Sequence, residues 1–173
     1  MKLQEAVKLI EFENDFSPGE QVWADLGCGS GTFTLALSNL LPDRSIIYAI
    51  DKKKSSLNKI PGQHENVSII KQQGNFENTL PSNLDGILMA NSLHYVKEQA
   101  SFIKNAQNHL KNNGMFLIVE YDSNVSNPWV PYPINFKTLR TLFKELGFVE
   151  IRKLREHPSL YHQANIYSAI AIN

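Results

Sequence analysis

The run Asp25-Leu26-Gly27-Cys28-Gly29-Ser30-Gly31 places an acid ahead of three closely spaced glycines, with Thr32 and Phe33 behind them. Glycines at 27, 29 and 31 strip side chains from a turn, so backbone can approach a ligand closely while amide hydrogens at a helix start point outward. This is a nucleotide-type loop. A dinucleotide fingerprint has its third glycine, or an alanine, where this chain has Thr32, and the phosphate loop of nucleotide hydrolases needs a lysine that the run lacks. Asp25 would repel a nearby pyrophosphate, so a ligand with a positive amino group is favoured. Asp51, 20 residues beyond Gly31, offers two acceptor oxygens to a ribose cis-diol. A nucleoside carrying an amino group satisfies both acids.

The remaining candidates carry less. His94 follows an apolar run, at the sheet edge where a second substrate should sit; there it could act as a base, touch the substrate or pack as a structural residue. Tyr95, Tyr121, Trp129 and Tyr132 fall near the same end and could line an aromatic pocket or belong to the core. Cys28 could be an activated thiol near a helix start, although a small residue there ordinarily packs. Lys52 to Lys54 reads as a solvated helix face, with a 2′-phosphate site as the alternative. His109, His157 and His162 are widely spaced on different elements, so no metal site is expected.

These residues need a frame that brings strand ends together. Strands are expected at Gln21–Leu26, Ser45–Ile50, Val67–Lys71, Gly86–Ala90 and Met115–Val119, separated by helical stripes. The helices run from Phe33 to Pro42, from about Lys53 to Ile60, and from Val96 to Lys111 with Asn113-Gly114 as a left-handed cap. Residues 123–134 hold Pro128, Pro131 and Pro133 and read as an irregular, stiff candidate lid. A helix from Phe136 to Leu146 ends at Gly147, and strands at Val149–Leu154 and Asn165–Ile172 are close enough for an antiparallel hairpin. Leu3, Ala6, Val7 and Ile10 give the amino-terminal segment, residues 1–19 with its lead-in, one apolar helical face. The pattern predicts an α/β, Rossmann-like, doubly wound sheet of about seven strands, mainly parallel with an antiparallel C-terminal hairpin, which binds ligands at its switch point.

A chain of 173 residues suits a single domain, 1–173. Lys plus Arg and Asp plus Glu both number 17, so no net field gathers a polyanion, and a nucleic-acid partner is not expected. No apolar run is long enough for a membrane-spanning helix and no signal peptide is expected. A single cysteine suits a reducing compartment, hence a cytoplasmic location.

The same residues resemble the class I S-adenosylmethionine-dependent methyltransferases, in particular the small-molecule group typified by ubiquinone and menaquinone biosynthesis enzymes. VWADLGCGSGTFT, from Val22, is similar to that family's first motif, and YAID, ending at Asp51, to its ribose-binding strand end. GNFENTLP, from Gly74, resembles the adenine-binding segment; LDGILMANSLHYV and HLKNNGMFLIVE resemble the fourth and fifth strand regions. The resemblance implies S-adenosylmethionine as cofactor and S-adenosylhomocysteine as product. Gly27, Cys28, Gly29 and Gly31 would lie against the methionine part, Asp25 would bind its ammonium and Asp51 both ribose hydroxyls. Asn75 would accept from the adenine amino group and the Phe76 amide would donate to the ring, with Asn91 in the same cofactor set. Two positions depart from the family pattern: Asn75 stands where Asp is usual, and Lys52 where an apolar residue covers the adenine, leaving its methylene stem to do so.

The implied reaction is in-line displacement onto a small-molecule acceptor, with His94 as the catalytic candidate and Tyr95, Tyr121, Trp129 and Tyr132 beside the substrate. Ala90 to His94 lacks the Asn/Asp-Pro-Pro-Tyr/Phe motif of DNA amino-methylating enzymes. Only about 20 residues precede the first strand, so either the acceptor is large and bound on an open face, or residues 123–134, the first helix or a second subunit, in a homodimer or with a partner, would complete the pocket. A noncatalytic S-adenosylmethionine-binding subunit is the main alternative, and a nicotinamide oxidoreductase a weaker one, given the glycine spacing.

Overall fold

The β-branched and apolar runs lie side by side in one sheet because the central ones are buried on both faces and can satisfy their backbones only by pairing with neighbours. The computed structural model describes residues 1–12, 18–158 and 164–173. The strands are β1 (Val22–Leu26), β2 (Ile46–Asp51), β3 (Gln63–His64), β4 (Val67–Gln73), β5 (Leu84–Ala90), β6 (Leu110–Tyr121), β7 (Glu150–His157) and β8 (Ile166–Ile172). The helices are α1 (Leu3–Ile10), α2 (Thr32–Ser38), α3 (Lys54–Leu57), α4 (Gln99–Gln107) and α5 (Phe136–Glu145), with a 3₁₀ turn at Leu93–Tyr95. Strand order is β3-β4-β2-β1-β5-β6-β8-β7. β4, β2, β1, β5 and β6 are mutually parallel, while β8 runs antiparallel to both β6 and β7. The chain winds outward in both directions from β1, so the crevice lies at the carboxyl ends of β1, β2 and β5.

Alternation along the strands divides the core into two layers. Ala24, Leu26, Ile87, Met89, Phe116 and Ile118 pack with α4 and α5, while Trp23, Ile47, Leu88, Leu117 and Val119 pack with α1 and α2. Trp23 is fully buried and lies opposite Gly86 in the β1–β5 register. A Cβ on Gly86 would fall 2.3 Å from the indole ring, so the glycine is where the strand makes room for the largest side chain of the core.

The sheet matches the expected class, including the C-terminal hairpin, with β3 as a short eighth strand paired to β4. Several boundaries differ. Asn113-Gly114 does not cap a helix: α4 ends at Gln107, and Asn113, with φ of 61°, lies within β6. There the β5–β6 register jumps, Leu84 facing Leu110 but Gly86 facing Met115, so the left-handed residue accommodates extra chain in a strand. The expected helix from Val96 to Lys111 is shorter, α4 running from Gln99 to Gln107: Val96 caps the preceding 3₁₀ turn, and Leu110 and Lys111 join β6. In α1 the buried residues are Ala6, Leu9 and Ile10. The lead-in at 13–17 lies outside the described residues.

Candidate active site

The glycine loop connects β1 to α2, and its shape is set by neighbours on three elements. The amides of Gly27 and Cys28 both donate to the Ile50 carbonyl, at 2.8 and 3.1 Å. Asp51, closing β2, accepts from the Gly29 amide at 2.9 Å through Oδ2 and from the Lys53 amide at 2.7 Å through Oδ1. Each oxygen keeps a second lone pair for a ligand. Ser92 Oγ donates to the Leu26 carbonyl at 2.6 Å, locking the end of β1 to the segment after β5.

Two glycines are required by close contacts with different neighbours. A Cβ on Gly27 would come 2.7 Å from the Ser92 Cβ, and one on Gly31 2.7 Å from Ile60 Cγ1; both residues have φ well inside the left-handed region. Gly29 faces open space, so only its φ of 54° favours glycine. Cys28 packs beside Ala49, Leu57, Ile60 and Ile69. Burial, with Asp25 and Asp51 adding negative charge, holds its thiol well above the usual range, so it is a packed neutral group.

Asp25 is 1% exposed. Its Oδ2 accepts from Thr34 Oγ1 at 2.6 Å, whereas Oδ1 has no partner. Burial pushes its pKa up to about 7, opposed by the Thr34 hydrogen bond and reinforced by Asp51. Oδ1 of Asn91, a residue with φ of 53°, is the other buried side-chain polar atom without a partner among the described residues. Asp25 and Asn91 border the same cavity of about 270 Å³, together with Gly27, Gly29, Phe33 and Tyr121. A second cavity of about 550 Å³ is bordered by Asp51, Lys52, Lys53, Phe76, Ser92 and Tyr95. Gly27, Gly29 and Asn91 border both, so the two form one cleft across the ends of β1, β2 and β5. The donor set fits an amino-acid nucleoside: an orphaned carboxylate oxygen for an ammonium on one side, and a strand-end carboxylate for hydroxyls on the other.

The other expected residues distribute unevenly. Phe76 is buried, borders the larger cavity and meets Phe102 edge-on at 5.6 Å. Asn75 does not border the cleft, and its Oδ1 accepts from the Glu77 amide at 3.2 Å. Trp129 and Tyr132 stand outside both cavities, Trp129 being 74% exposed. Residues 123–134 contain no helix or strand beyond a bridge between Asn127 and Val130, and are tied to the cleft edge by the Tyr132 amide, which donates to the His94 carbonyl at 3.0 Å.

His94 is 2% exposed, and its Nδ1 lies 2.7 Å from Glu120 Oε2, while its amide donates to Oε1 at 3.1 Å. Glu120, Thr34 and Ser92 were not singled out from the sequence. The signal for Glu120 lay in the parallel β5–β6 pairing: with Ala90 opposite Val119, the residues after β5 necessarily meet the acid after Val119. Thr34 follows from helix geometry, because the first turn of α2 points back at the end of β1.

Residues 24–116, more than half of the sequence, match the methyltransferase domain family. The chain belongs to this family. It is a class I, S-adenosylmethionine-dependent methyltransferase by family and fold, and S-adenosylmethionine is the cofactor that membership implies. No curated protein sequence matches the chain. Among solved structures, the fold is similar to the YcgJ protein from Bacillus subtilis, at 15% identity over 99% of this chain and 97% of that one, with a TM-score of 0.71. It is also similar to an S-adenosylmethionine-dependent methyltransferase from Methanosarcina mazei, at 17% identity over 95% and 99% of the two chains, TM-score 0.71. A third is magnesium protoporphyrin IX methyltransferase from Synechocystis with bound S-adenosylmethionine, at 12% identity over 99% and 77%, TM-score 0.69. Among the described residues no helix is long and apolar enough to cross a membrane, and no cluster could hold a metal ion.

Proposed function

We propose that this methyltransferase acts on a small-molecule acceptor, bound at the junction of the two cavities, by in-line displacement at the sulfonium methyl. The unpartnered Asp25 Oδ1 carries this reading, because that buried carboxylate oxygen borders the cleft with no donor from the chain, and a bound ammonium would supply one. In this reading Asp25 and Asn91 hold the amino-acid end and Gly27 to Gly31 lie along it. Asp51 holds the ribose, while Phe76 and the Lys52 stem flank the adenine, with Asn75 at its rim. S-adenosylmethionine supplies the electrophilic methyl group; the chain's residues orient it, exclude water and position the acceptor. Tyr95 borders the larger cavity and Tyr121 the smaller, and they take the acceptor side; the buried His94 borders neither, its ring lying 4.4 and 6.2 Å from theirs.

A balanced charge gives no pull on nucleic acid, and the sole cysteine suits a reducing, cytoplasmic setting. Isothermal calorimetry tests the donor site: saturable binding of both S-adenosylmethionine and S-adenosylhomocysteine is expected from the wild-type chain. Binding of neither, or tight binding of a nicotinamide dinucleotide in their place, would overturn it.

A further inference from the structure

We propose that the cleft face of this protein docks on an anionic lipid bilayer as a peripheral, non-spanning contact. Trp129 and Val125 enter the headgroup layer, and Lys52, Lys53 and Lys54 meet the lipid charges. Trp129 and Val125 are 74% and 76% exposed, and with Tyr95 and Tyr132 they make up most of the exposed large apolar side chains among the described residues. The three lysines are exposed as well, and none forms an ion pair among those residues. Trp129 and Val125 border neither cavity, so the cofactor cleft leaves them without a task.

Strand topology puts both features at one end of the molecule. The lysines follow β2, Tyr95 lies in the turn after β5, and residues 123–134 leave β6. These strands run parallel in the order β2-β1-β5-β6, so their carboxyl ends share one side. Three strand spacings set the lysines and the exit of β6 about 14 Å apart, on opposite sides of the cleft mouth. The apolar tip is braced outward. At its base Asp122 Oδ1 accepts from the Phe136 amide at 2.9 Å, and the Tyr132 carbonyl accepts from Gln99 Nε2 at 2.9 Å. At its turn Asn127 Oδ1 accepts from the Trp129 and Val130 amides at 2.8 and 3.0 Å, with Pro128 and Pro131 stiffening the chain on either side of Trp129. A turn held in this way keeps an indole in water, which marks a contact surface.

Charge and side-chain type select the occupant. At the rim of the larger cavity Asp51 and Glu77 oppose the lysines, but Asp51 is turned to the amides of Gly29 and Lys53. Lys97 and Glu98 are adjacent and offset each other, and Asp122 and Glu156 are both engaged by Lys153. The lysine run is thus a local positive patch on a chain with no net charge. A folded protein partner matches an apolar patch by shape, whereas a bilayer needs only cations at the phosphate level and an aromatic ring at the interface, where indole is favoured. Cations on one side and Trp129 on the other, with a polar cleft between them, fit a fluid surface better than a rigid one. No helix has to cross, because side chains at headgroup depth suffice.

Vesicle sedimentation of the full chain tests this. Phosphatidylcholine vesicles carrying about 30% phosphatidylserine are expected to bind it about tenfold more tightly than pure phosphatidylcholine, with most of that gain lost at about 0.5 M salt. Lys54→Ala should weaken the binding about 5-fold and Trp129→Ala about 10-fold. Trp23, the other tryptophan, is fully buried, so a change in tryptophan emission reports on Trp129. Anionic vesicles should shift that emission to the blue and brominated lipid should quench it, and neither effect should survive in Trp129→Phe. The quenching is read on the wild-type chain and stands whether or not a variant folds. No binding to anionic vesicles, equal binding to neutral ones, or binding that leaves Trp129 unquenched would overturn the proposal. A salt-sensitive complex with polyglutamate in the absence of vesicle binding would assign the face to an acidic protein and overturn it too. So would a lipid-free dimer in sedimentation velocity whose formation alone shifts the Trp129 emission, because a second copy would then be the occupant.

Discussion

Asp25 is held in the sheet through a hydrogen bond to one oxygen while the other has no partner, and burial raises its pKa by disfavouring the charge. The folded value of about 7 lies above the unfolded 3.8, so the folded state binds the extra proton. Stability is therefore greatest below the unfolded value and declines as pH rises through the interval up to about 7, by roughly 2–4 kcal/mol in all. Asp25→Asn removes that ionisation, and urea denaturation at pH 8 should find the variant more stable than wild type by about 2 kcal/mol. The same change should abolish measurable donor binding in calorimetry, since an amide offers no charge to an ammonium. In the wild type, the ligand competes with a proton for Asp25, and donor affinity should fall roughly tenfold between pH 8 and pH 6. An affinity flat across that interval would mean that Asp25 does not meet the ammonium.

At the scale of elements, the β1–β5 contact is where sequence constraint is tightest. Gly86→Ala drives a methyl group into the Trp23 ring and should lower stability by about 3 kcal/mol, read from the shift in the urea midpoint at unchanged m-value. Trp23→Phe should partly restore it, because the smaller ring vacates the volume. The strands flanking the cleft were legible because parallel sheet strands are buried on both faces and read as continuous apolar runs ended by glycine or acid. The two carboxylates were legible for the same reason, each being the polar residue at or near the end of such a run. Asn113-Gly114 misled because a left-handed residue serves a strand irregularity as readily as a helix cap. Glu120 was missed because its partner lies 26 residues away and only the β5–β6 register brings them together. Trp129 and Tyr132 carried no periodic signal, and in an irregular segment nothing in the local pattern states which way a side chain faces.

For the molecule as a whole, the cleft is built from the ends of three strands and the turn after β5, so filling it should stabilise the fold that creates it. At a hundredfold excess over its Kd, S-adenosylhomocysteine is expected to raise the wild-type Tm by about 5–10 °C and that of Asp25→Asn not at all. The order of strands adds a different consequence. β8 lies between β6 and β7, although β7 precedes it in the chain. During synthesis β7 emerges with no neighbour to accept its amides, and the apolar flank of β6 stays bare until Ile166 to Ile172 have cleared the ribosome. Sheet closure is thus a late, post-emergence event, and a nascent chain halted before β8 would present the bare β6 edge to chaperones or to another copy of itself.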